Sequence, residues 1–225
     1  MNHSVIIAIE TATEGCSVAV DTAHGVVERF IEAPREHSAR LLPMLEEAMA
    51  EAEISSAQVA AVAFGRGPGA FVGVRLAASV AQGLCSAWQV PALPVSTLEA
   101  LAAGAAREHG ASRVIAALDA RMGQVYWGAY SLADGQLMEA ESAEAVADPE
   151  QLAAGISGGI SGRDYFGVGR GFAAYSHLLP RPRAGLAADS LPRAEDLLPR
   201  ARSLLAAGQA AAPDQALPVY LREGV

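Results

Sequence analysis

Two acidic residues follow predicted strands, and both could support chemistry. Glu10 follows the apolar run of residues 4–9 (SVIIAI), and Asp119 follows the similar run of residues 113–118 (RVIAAL). Proteins usually hold Mg²⁺ through one or two carboxylates together with the phosphates of a nucleotide. The two acids are therefore candidates for a magnesium-nucleotide site. The alternative is that they are inherited positions of the fold, solvated at the mouth of a cleft.

A glycine-rich segment, residues 65–75 (GRGPGAFVGVR), lies between a predicted strand and a predicted helix. Glycine permits positive φ angles, and backbone N–H groups at a helix N-terminus can cradle an anion. Gly67 and Gly69 are the candidate anion contacts, and Arg66 and Arg75 could pair with a phosphate or a carboxylate. The alternative is a tight glycine-proline turn that only packing requires.

The basic residues and histidines exclude several kinds of catalytic site. All 16 residues counted as Lys or Arg are arginines, so there is no Schiff-base lysine and no phosphate-loop lysine. Paired metal-binding histidines would stand four residues apart on one helix face. The five histidines are too scattered to form such a pair, so we expect no metal site. They are His3, His24, His37, His109 and His177.

Composition narrows the class of protein further. The formal net charge of -9 makes the chain a poor binder of polyanions, so we expect any RNA to be bound mainly by another subunit. Cys16 and Cys85 lack a CxxC spacing, and both are expected to be small core residues. The N-terminal apolar run is too short to cross a bilayer and lacks leader-peptide features, so we expect a cytoplasmic protein without membrane contact.

Hydrophobic periodicity predicts that one order of elements occurs twice. The first half contains three strands, a helix beginning near Ser38 as its N-cap, a strand, a helix, a strand and a helix. From residue 113 the order begins again, with a hairpin signal at Asp134-Gly135. The predicted first-half strands are 4–9, 16–20, 25–33, 59–64 and 91–95, and the helices are 38–52, 71–88 and 97–108. The predicted second-half strands are 113–118, 124–132, 136–141 and 165–168, and the helices begin at 148 and span 172–178 and 193–207.

This repetition predicts an α/β protein with a duplicated ribonuclease-H-like fold, the two-lobed fold of the actin-like ATPase (ASKHA) superfamily. The first lobe is predicted to span residues 1–108 and to be completed by a C-terminal helix within 190–210. A smaller second lobe spans 109–188, and 211–225 form an irregular tail. The Gly/Ser-rich segment 155–162 matches no recognisable element.

Several motifs together resemble the TsaB (YeaZ) family over residues 5–130. They are IAIETATEGCSVAV, HSARLLPMLEEA, GRGPGAFVGVRLAASVAQGL, PVSTLEALA, DARMGQVYWGAY and the C-terminal PVYLR. The resemblance implies a non-catalytic paralogue and dimer partner of TsaD, which transfers a threonylcarbamoyl group to the adenosine beside the anticodon of tRNA. The ATPase TsaE would join the larger complex. One departure is Glu10, where the family usually has aspartate.

The two predicted helices 38–52 and 71–88 are candidates for a docking surface. The first has more apolar side chains than one stripe requires, and the second carries small residues that permit close approach of another helix. The resemblance points to the same helices as the surface for TsaD. The predicted interface residues are His37, Leu41, Leu42, Leu45, Met49, Gly73, Ala77 and Ala81.

The resemblance implies no catalytic residue and no tightly bound cofactor, and it leaves open ATP or ADP at the interface with TsaD. tRNA would be contacted only through the complex, and a homodimer without TsaD stays open. One rival hypothesis is an autonomous ATP-dependent small-molecule kinase that uses Glu10, Asp119 and the glycine-rich segment. Another is a protease acting on TsaD, for which the sequence shows no Ser/His/Asp arrangement or GxSxG motif.

Overall fold

The computed structural model describes residues 4–133, 135, 137–157 and 164–222. The chain forms two compact units. The first comprises Met1–Ala100 and Pro192–Val219, and the second comprises Leu101–Leu191 and Tyr220–Val225. The division falls inside the helix Thr97–His109, whereas the sequence placed it after residue 108. Asp134 of the predicted hairpin signal and residues 158–162 of the segment 155–162 lie outside the described residues.

A five-stranded sheet forms the centre of the first unit. Its order is β3-β2-β1-β4-β5. β1 to β3 form an antiparallel meander, and β4 and β5 run parallel to β1. The strands are β1 (Val5–Glu10), β2 (Gly15–Thr22), β3 (Gly25–Glu32), β4 (Val59–Gly65) and β5 (Ala92–Val95).

Helices α1 (His37–Glu51) and α2 (Phe71–Trp88) pack on one face of this sheet, and α3 (Thr97–His109) follows β5. Successive strand residues point to opposite faces, so Ile7 and Ile9 of β1 enter the core beneath α1 and α2. This core closes the first unit on that side.

The start of α1 differs from the prediction. Ser38 was expected to be the N-cap, but the helix begins at His37, and the residue before it, Glu36, makes no capping side-chain hydrogen bond. The chain turns into the helix through backbone bonds instead: the Glu36 N–H donates to the Ala33 carbonyl at 3.1 Å. Ser38 therefore lies one residue inside the helix.

The second unit repeats the strand order of the first. Its sheet has the order β11-β10-β6-β7-β8, and β9 pairs with β7. β6, β7 and β8 form an antiparallel meander and β10 runs parallel to β6, as β4 does to β1. The duplicated ribonuclease-H-like fold predicted from the sequence is therefore confirmed. The strands are β6 (Arg113–Arg121), β7 (Gln124–Leu132), β8 (Met138–Ala140), β9 (Ala145–Ala147), β10 (Phe166–Val168) and β11 (Leu186–Ala187).

The shortest elements of the second unit depart most from the prediction. β9 and β11 were not predicted, because three and two residues show no usable periodicity. Helix α4 spans Pro149–Ser157, and α5 spans Arg170–Ala174 rather than 172–178. A Cβ at Gly171 would overlap Ala117, so this glycine lets α5 start directly against β6.

Helix α6 (Leu198–Ala206) returns the chain to the first unit and covers the other face of its sheet. It is preceded by a 3₁₀ turn, Glu195–Leu197, so the predicted helix 193–207 is shorter than expected. Ile6 and Ala8 of β1 face this side, opposite to their neighbours. In the part of the chain that the structure describes, no helix is long and apolar enough to span a membrane.

Candidate functional site

Glu10, the last residue of β1, points into the first unit and is 0% exposed. Its Oε1 accepts a hydrogen bond from the Ala12 N–H at 2.7 Å, and its Oε2 accepts one from the Thr97 hydroxyl at 3.0 Å. Burial raises the pKa of the Glu10 carboxyl from 4.5 to about 7, against the lowering effect of these hydrogen bonds. This burial does not match a residue solvated at the mouth of a cleft, and the magnesium-nucleotide hypothesis for Glu10 stays a prediction.

The glycines of the segment 65–75 allow close packing around Glu10. A Cβ at Gly65 would overlap the Glu10 carboxylate, one at Gly69 would overlap Ala12, and one at Gly73 would overlap the Thr11 carbonyl. The Thr11 hydroxyl also donates to the Gly73 carbonyl at 2.8 Å. These contacts are the ones expected if the glycines of the segment are required for packing rather than for binding an anion.

Backbone groups proposed to cradle an anion are used within the protein. The Arg66 N–H donates to the Val95 carbonyl at 2.8 Å, and the Ala70 N–H donates to the Ala12 carbonyl at 2.7 Å. The C-terminal tail crosses the same loop: the Val219 N–H donates to the Arg66 carbonyl at 2.8 Å. A Cβ at Gly67 would lie 3.2 Å from the Val219 carbonyl oxygen. Gly67 and Gly69 are therefore explained by contacts inside the chain.

Arg75, one of the two arginines that could pair with an anion, lies one turn into α2. Its guanidinium is 3.5 Å from the centroid of the Phe71 ring, which is a close cation–π arrangement. Phe71 is 42% exposed and the next residue, Val72, is 77% exposed. The start of α2 thus presents apolar and cationic groups at the surface.

Asp119 lies near the end of β6 in the second unit, where it organises the turn into β7. Its carboxylate accepts bonds from the backbone N–H and the guanidinium of Arg121, each at 2.8 Å, and from the Tyr175 hydroxyl at 3.1 Å. Burial, then the hydrogen bond to Asp119 and its charge, raises the pKa of Tyr175. Neither partner of Asp119 was predicted from the sequence. The Asp-x-Arg spacing could have indicated the first, whereas no local signal indicates Tyr175.

The predicted interface residues divide into buried and exposed groups, and this corrects the docking surface. Leu41, Leu45, Ala77 and Ala81 are 1, 3, 0 and 0% exposed, because they form the core between the two helices and the sheet. A partner cannot contact these side chains in this fold, and Gly73 is buried as well.

Three of the predicted residues stay near the surface. Leu42 is 46% exposed, and Met49 and His37 are partly exposed. The Nε2 atom of His37 is enclosed and makes no hydrogen bond among the described residues.

An outward stripe on α2 was missed by the sequence analysis. Val72 and the partly exposed Leu76 and Val80 stand four residues apart, and the exposed Gly83 follows three residues later. This spacing places them along one side of the helix: Val72 faces away from the small core residues, whereas Leu76 and Val80 lie at the edge and also pack against the core. The periodicity of these residues could have indicated the stripe, but the small residues on the other side of the helix equally suggest close approach of a partner.

Neither cysteine shows the features of a reactive site. Burial is the largest cause of the rise in the pKa of the Cys16 and Cys85 thiols to about 11. Among the described residues, no group of three or more His, Cys, Asp or Glu side chains could hold a metal ion.

The fold and these residues define a class of protein: a duplicated ribonuclease-H-like chain of the TsaD type. The family model described as "TsaD: tRNA N6-adenosine threonylcarbamoyltransferase" matches residues 19–218. The chain belongs to the TsaB (YeaZ) family within this class. It is 42% identical to the tRNA threonylcarbamoyladenosine biosynthesis protein TsaB of Escherichia coli K12, over 98% of this chain and 95% of that protein.

Two further comparisons agree with this membership. TsaB of Haemophilus influenzae is 35% identical over 100% of this chain and 96% of its own length. The solved structure of YeaZ from Pseudomonas aeruginosa superposes with a TM-score of 0.91 at 46% identity, covering 97% of this chain and 100% of that one.

Proposed function

We propose that this chain is a non-catalytic subunit that pairs with a TsaD-type protein and supports formation of N6-threonylcarbamoyladenosine on tRNA. The pairing with a TsaD-type protein is supported by the outward stripe of α2, where Val72 is 77% exposed on a helix whose other face is buried. Family membership supplies the pathway, since its relatives are named for tRNA threonylcarbamoyladenosine biosynthesis.

The absence of catalysis is supported by the residues of the first unit. A magnesium-nucleotide site would need the Glu10 carboxylate at a surface, and here it is enclosed and bonded to Thr97. The chain also contains no lysine, and its scattered histidines provide no pair of metal ligands. A kinase that depends on Glu10 would have to withdraw this side chain from the core.

Docking through α1 and α2 is supported by the arrangement of apolar groups. Leu42 on α1 and Val72 on α2 are exposed apolar residues, although both helices already fill the core beneath them. Leu76 on α2 is partly exposed and also packs against that core. Burial of apolar surface stabilises a complex by roughly 25 cal/mol per Å². The proposed interface therefore omits the buried residues and consists of Leu42, Met49, Val72, Leu76 and Val80. Gly83 would permit close approach of a partner helix.

tRNA and nucleotide are proposed to reach this subunit only through the complex. The net charge of -9 opposes direct binding of a polyanion. ATP or ADP, if bound, would occupy the junction with the TsaD-type partner, because the glycine-rich segment donates two of its N–H groups to carbonyls of its own unit. TsaE would enter as a third component.

The test is co-expression with the TsaD-type protein of the same source, followed by size-exclusion chromatography with mass measurement and titration calorimetry. Val72→Asp and Leu76→Glu should weaken the complex by at least tenfold, because each buries a charge without a partner. Val26→Asp is the matched control, since Val26 is also an exposed apolar residue (39%) but lies on β3. Unchanged affinity in folded α2 variants would contradict the proposed surface.

A reconstituted modification assay tests the absence of catalysis. The isolated chain should neither hydrolyse ATP nor modify tRNA, and its addition to TsaD, TsaE and the threonylcarbamoyl donor should restore modification. Turnover by the chain alone that is lost in Glu10→Gln would support the kinase hypothesis instead. Cleavage of TsaD by the chain would support the protease hypothesis.

A further inference from the structure

The second unit carries a segment whose charge is opposite to that of the whole chain. Residues 165–188 contain three arginines and no aspartate or glutamate, although the chain has 25 acidic residues and a formal net charge of -9. At physiological ionic strength, surface charges are screened beyond about 8 Å, so local cations can attract an anion despite a distant excess of acids. The exposed arginines of this segment are Arg181 and Arg183.

Two prolines determine how these arginines are presented. Arg181 lies between Pro180 and Pro182, and a proline fixes its own φ angle and biases the residue before it towards extended backbone. Pro182 is buried, whereas the arginines on either side of it are exposed. Residues two apart on an extended chain lie on the same side, so both arginines point away from the core.

Packing beneath the loop holds it in place. Pro182 lies against Gly167 of β10, where a Cβ would come within 2.7 Å of the proline ring. The Ala184 N–H donates to the Tyr165 carbonyl at 3.2 Å, and the Gly167 N–H donates to the Gly185 carbonyl at 2.9 Å. The loop therefore has a fixed backbone, which lowers the entropy cost of holding two cations against a ligand.

Acidic side chains neutralise the two arginines only weakly. The Arg183 guanidinium is 3.9 Å from the Asp164 carboxylate, and these side chains are 88 and 64% exposed. Exposed ion pairs of this kind contribute little to stability, so this pair can open when another anion binds. Arg181 has no ion-pair partner in the part of the chain that the structure describes. The loop can thus offer two cations to an external polyanion.

We propose that Arg181 and Arg183 contact the phosphate backbone of the tRNA while the chain is part of its complex. This inference rests on the proposed function, which brings tRNA to the complex, and it gives this subunit a direct contact with that tRNA. Contacts to phosphates position a nucleic acid without reading its sequence. The contact is separate from the proposed docking surface, because α1 and α2 belong to the first unit.

tRNA binding by the assembled complex, measured over a series of salt concentrations, tests the contact. The double variant Arg181→Gln/Arg183→Gln should bind tRNA several-fold more weakly. The slope of log Kd against log salt concentration should also fall by about one to two, because each lost phosphate contact releases about one counterion fewer. The double variant Arg181→Lys/Arg183→Lys keeps both charges and should bind as the wild type does.

Arg121→Gln is the matched control. Arg121 is also an exposed arginine of the second unit, with a side chain 76% exposed, but it lies beyond the part of β6 that pairs with β10. Its replacement should leave the affinity and the salt slope unchanged. An equal loss in this variant would attribute the effect to overall charge and would overturn the proposal.

Size-exclusion chromatography of the same samples separates this inference from the proposed function. A glutamine double variant that assembles normally and keeps the wild-type affinity and salt slope would overturn the tRNA contact alone. Loss of assembly in that variant would assign the two arginines to a protein partner, which also overturns it. A wild-type chain that does not assemble would contradict the proposed function, and the tRNA contact with it.

Discussion

Arg202 of α6 holds the buried carboxylate of Asp21 in β2 with two parallel hydrogen bonds, at 2.7 and 2.8 Å. The Asp21 side chain is 1% exposed, and the two residues are 181 positions apart in sequence. A forked arginine–carboxylate contact of this kind fixes orientation as well as distance. It attaches the C-terminal segment to the sheet of the first unit.

Removal of this contact should destabilise the protein. Arg202→Met keeps most of the apolar stem but leaves Asp21 buried without its guanidinium, and we expect a loss of about 1–3 kcal/mol in the free energy of unfolding. The expected loss is smaller than for a fully buried ion pair because the Arg202 side chain is 43% exposed to solvent. Urea unfolding of the variant measures the change, and Arg40→Met, which removes an exposed ion pair with Glu36, is the control. Equal stability of the two variants would contradict the assigned importance of Asp21.

Glu10 should make stability depend on pH. Its folded pKa, about 7, lies above the unfolded value of 4.5, so its contribution is fully present below pH 4.5 and is lost as the pH rises through 7. The difference corresponds to roughly 3 kcal/mol, at 1.36 kcal/mol per unit. The wild type should therefore lose stability relative to Glu10→Gln between these pH values, measured by urea unfolding across the range. Parallel stability curves for the two proteins would refute this assignment.

Two glycines of α2 should respond oppositely to the same substitution. Gly73→Ala places a methyl group against the Thr11 carbonyl and should cost at least about 1–3 kcal/mol. Gly83→Ala meets no atom within 4 Å and should stabilise the helix by about 0.5–1 kcal/mol. Thermal unfolding compares the pair, and destabilisation of similar size at both positions would show that the packing around Gly73 has been misjudged.

Core and surface residues of the two docking helices should also behave differently. Leu45→Ala empties part of the core beneath α1 and should cost about 2–5 kcal/mol of unfolding free energy. Val72→Asp changes an exposed side chain and should leave monomer stability within about 0.5 kcal/mol. Chemical denaturation of the isolated chain measures both. Comparable losses would place Val72 in the core.

Much of the fold could be predicted from hydrophobic periodicity. The helix 71–88 matches its predicted bounds, and the repeated strand order was visible because each half begins with the same succession of apolar runs. β9 and β11 were missed, since a strand of two or three residues takes its shape from the neighbouring strand rather than from its own sequence. The family could be predicted from motifs in the sequence, and the 42% identity to TsaB of Escherichia coli K12 confirms it.

The candidate site was less accessible to sequence reasoning. Residue types correctly drew attention to Glu10, the glycine-rich segment and the two helices, but the direction in which each side chain points depends on distant residues. Glu10 turns inward because Gly65 leaves room for its carboxyl group and Thr97, 87 positions away, supplies a donor.

The sequence by itself determined the elements, their duplication and the family, because these follow from local periodicity and from motif identity. Only the tertiary structure decided which side of α2 is buried. A helix with apolar residues on two faces has two acceptable orientations by pattern alone, and the closer fit of its small residues against the sheet selects one. Ala77 and Ala81 therefore lie in the core, and Val72 remains at the surface.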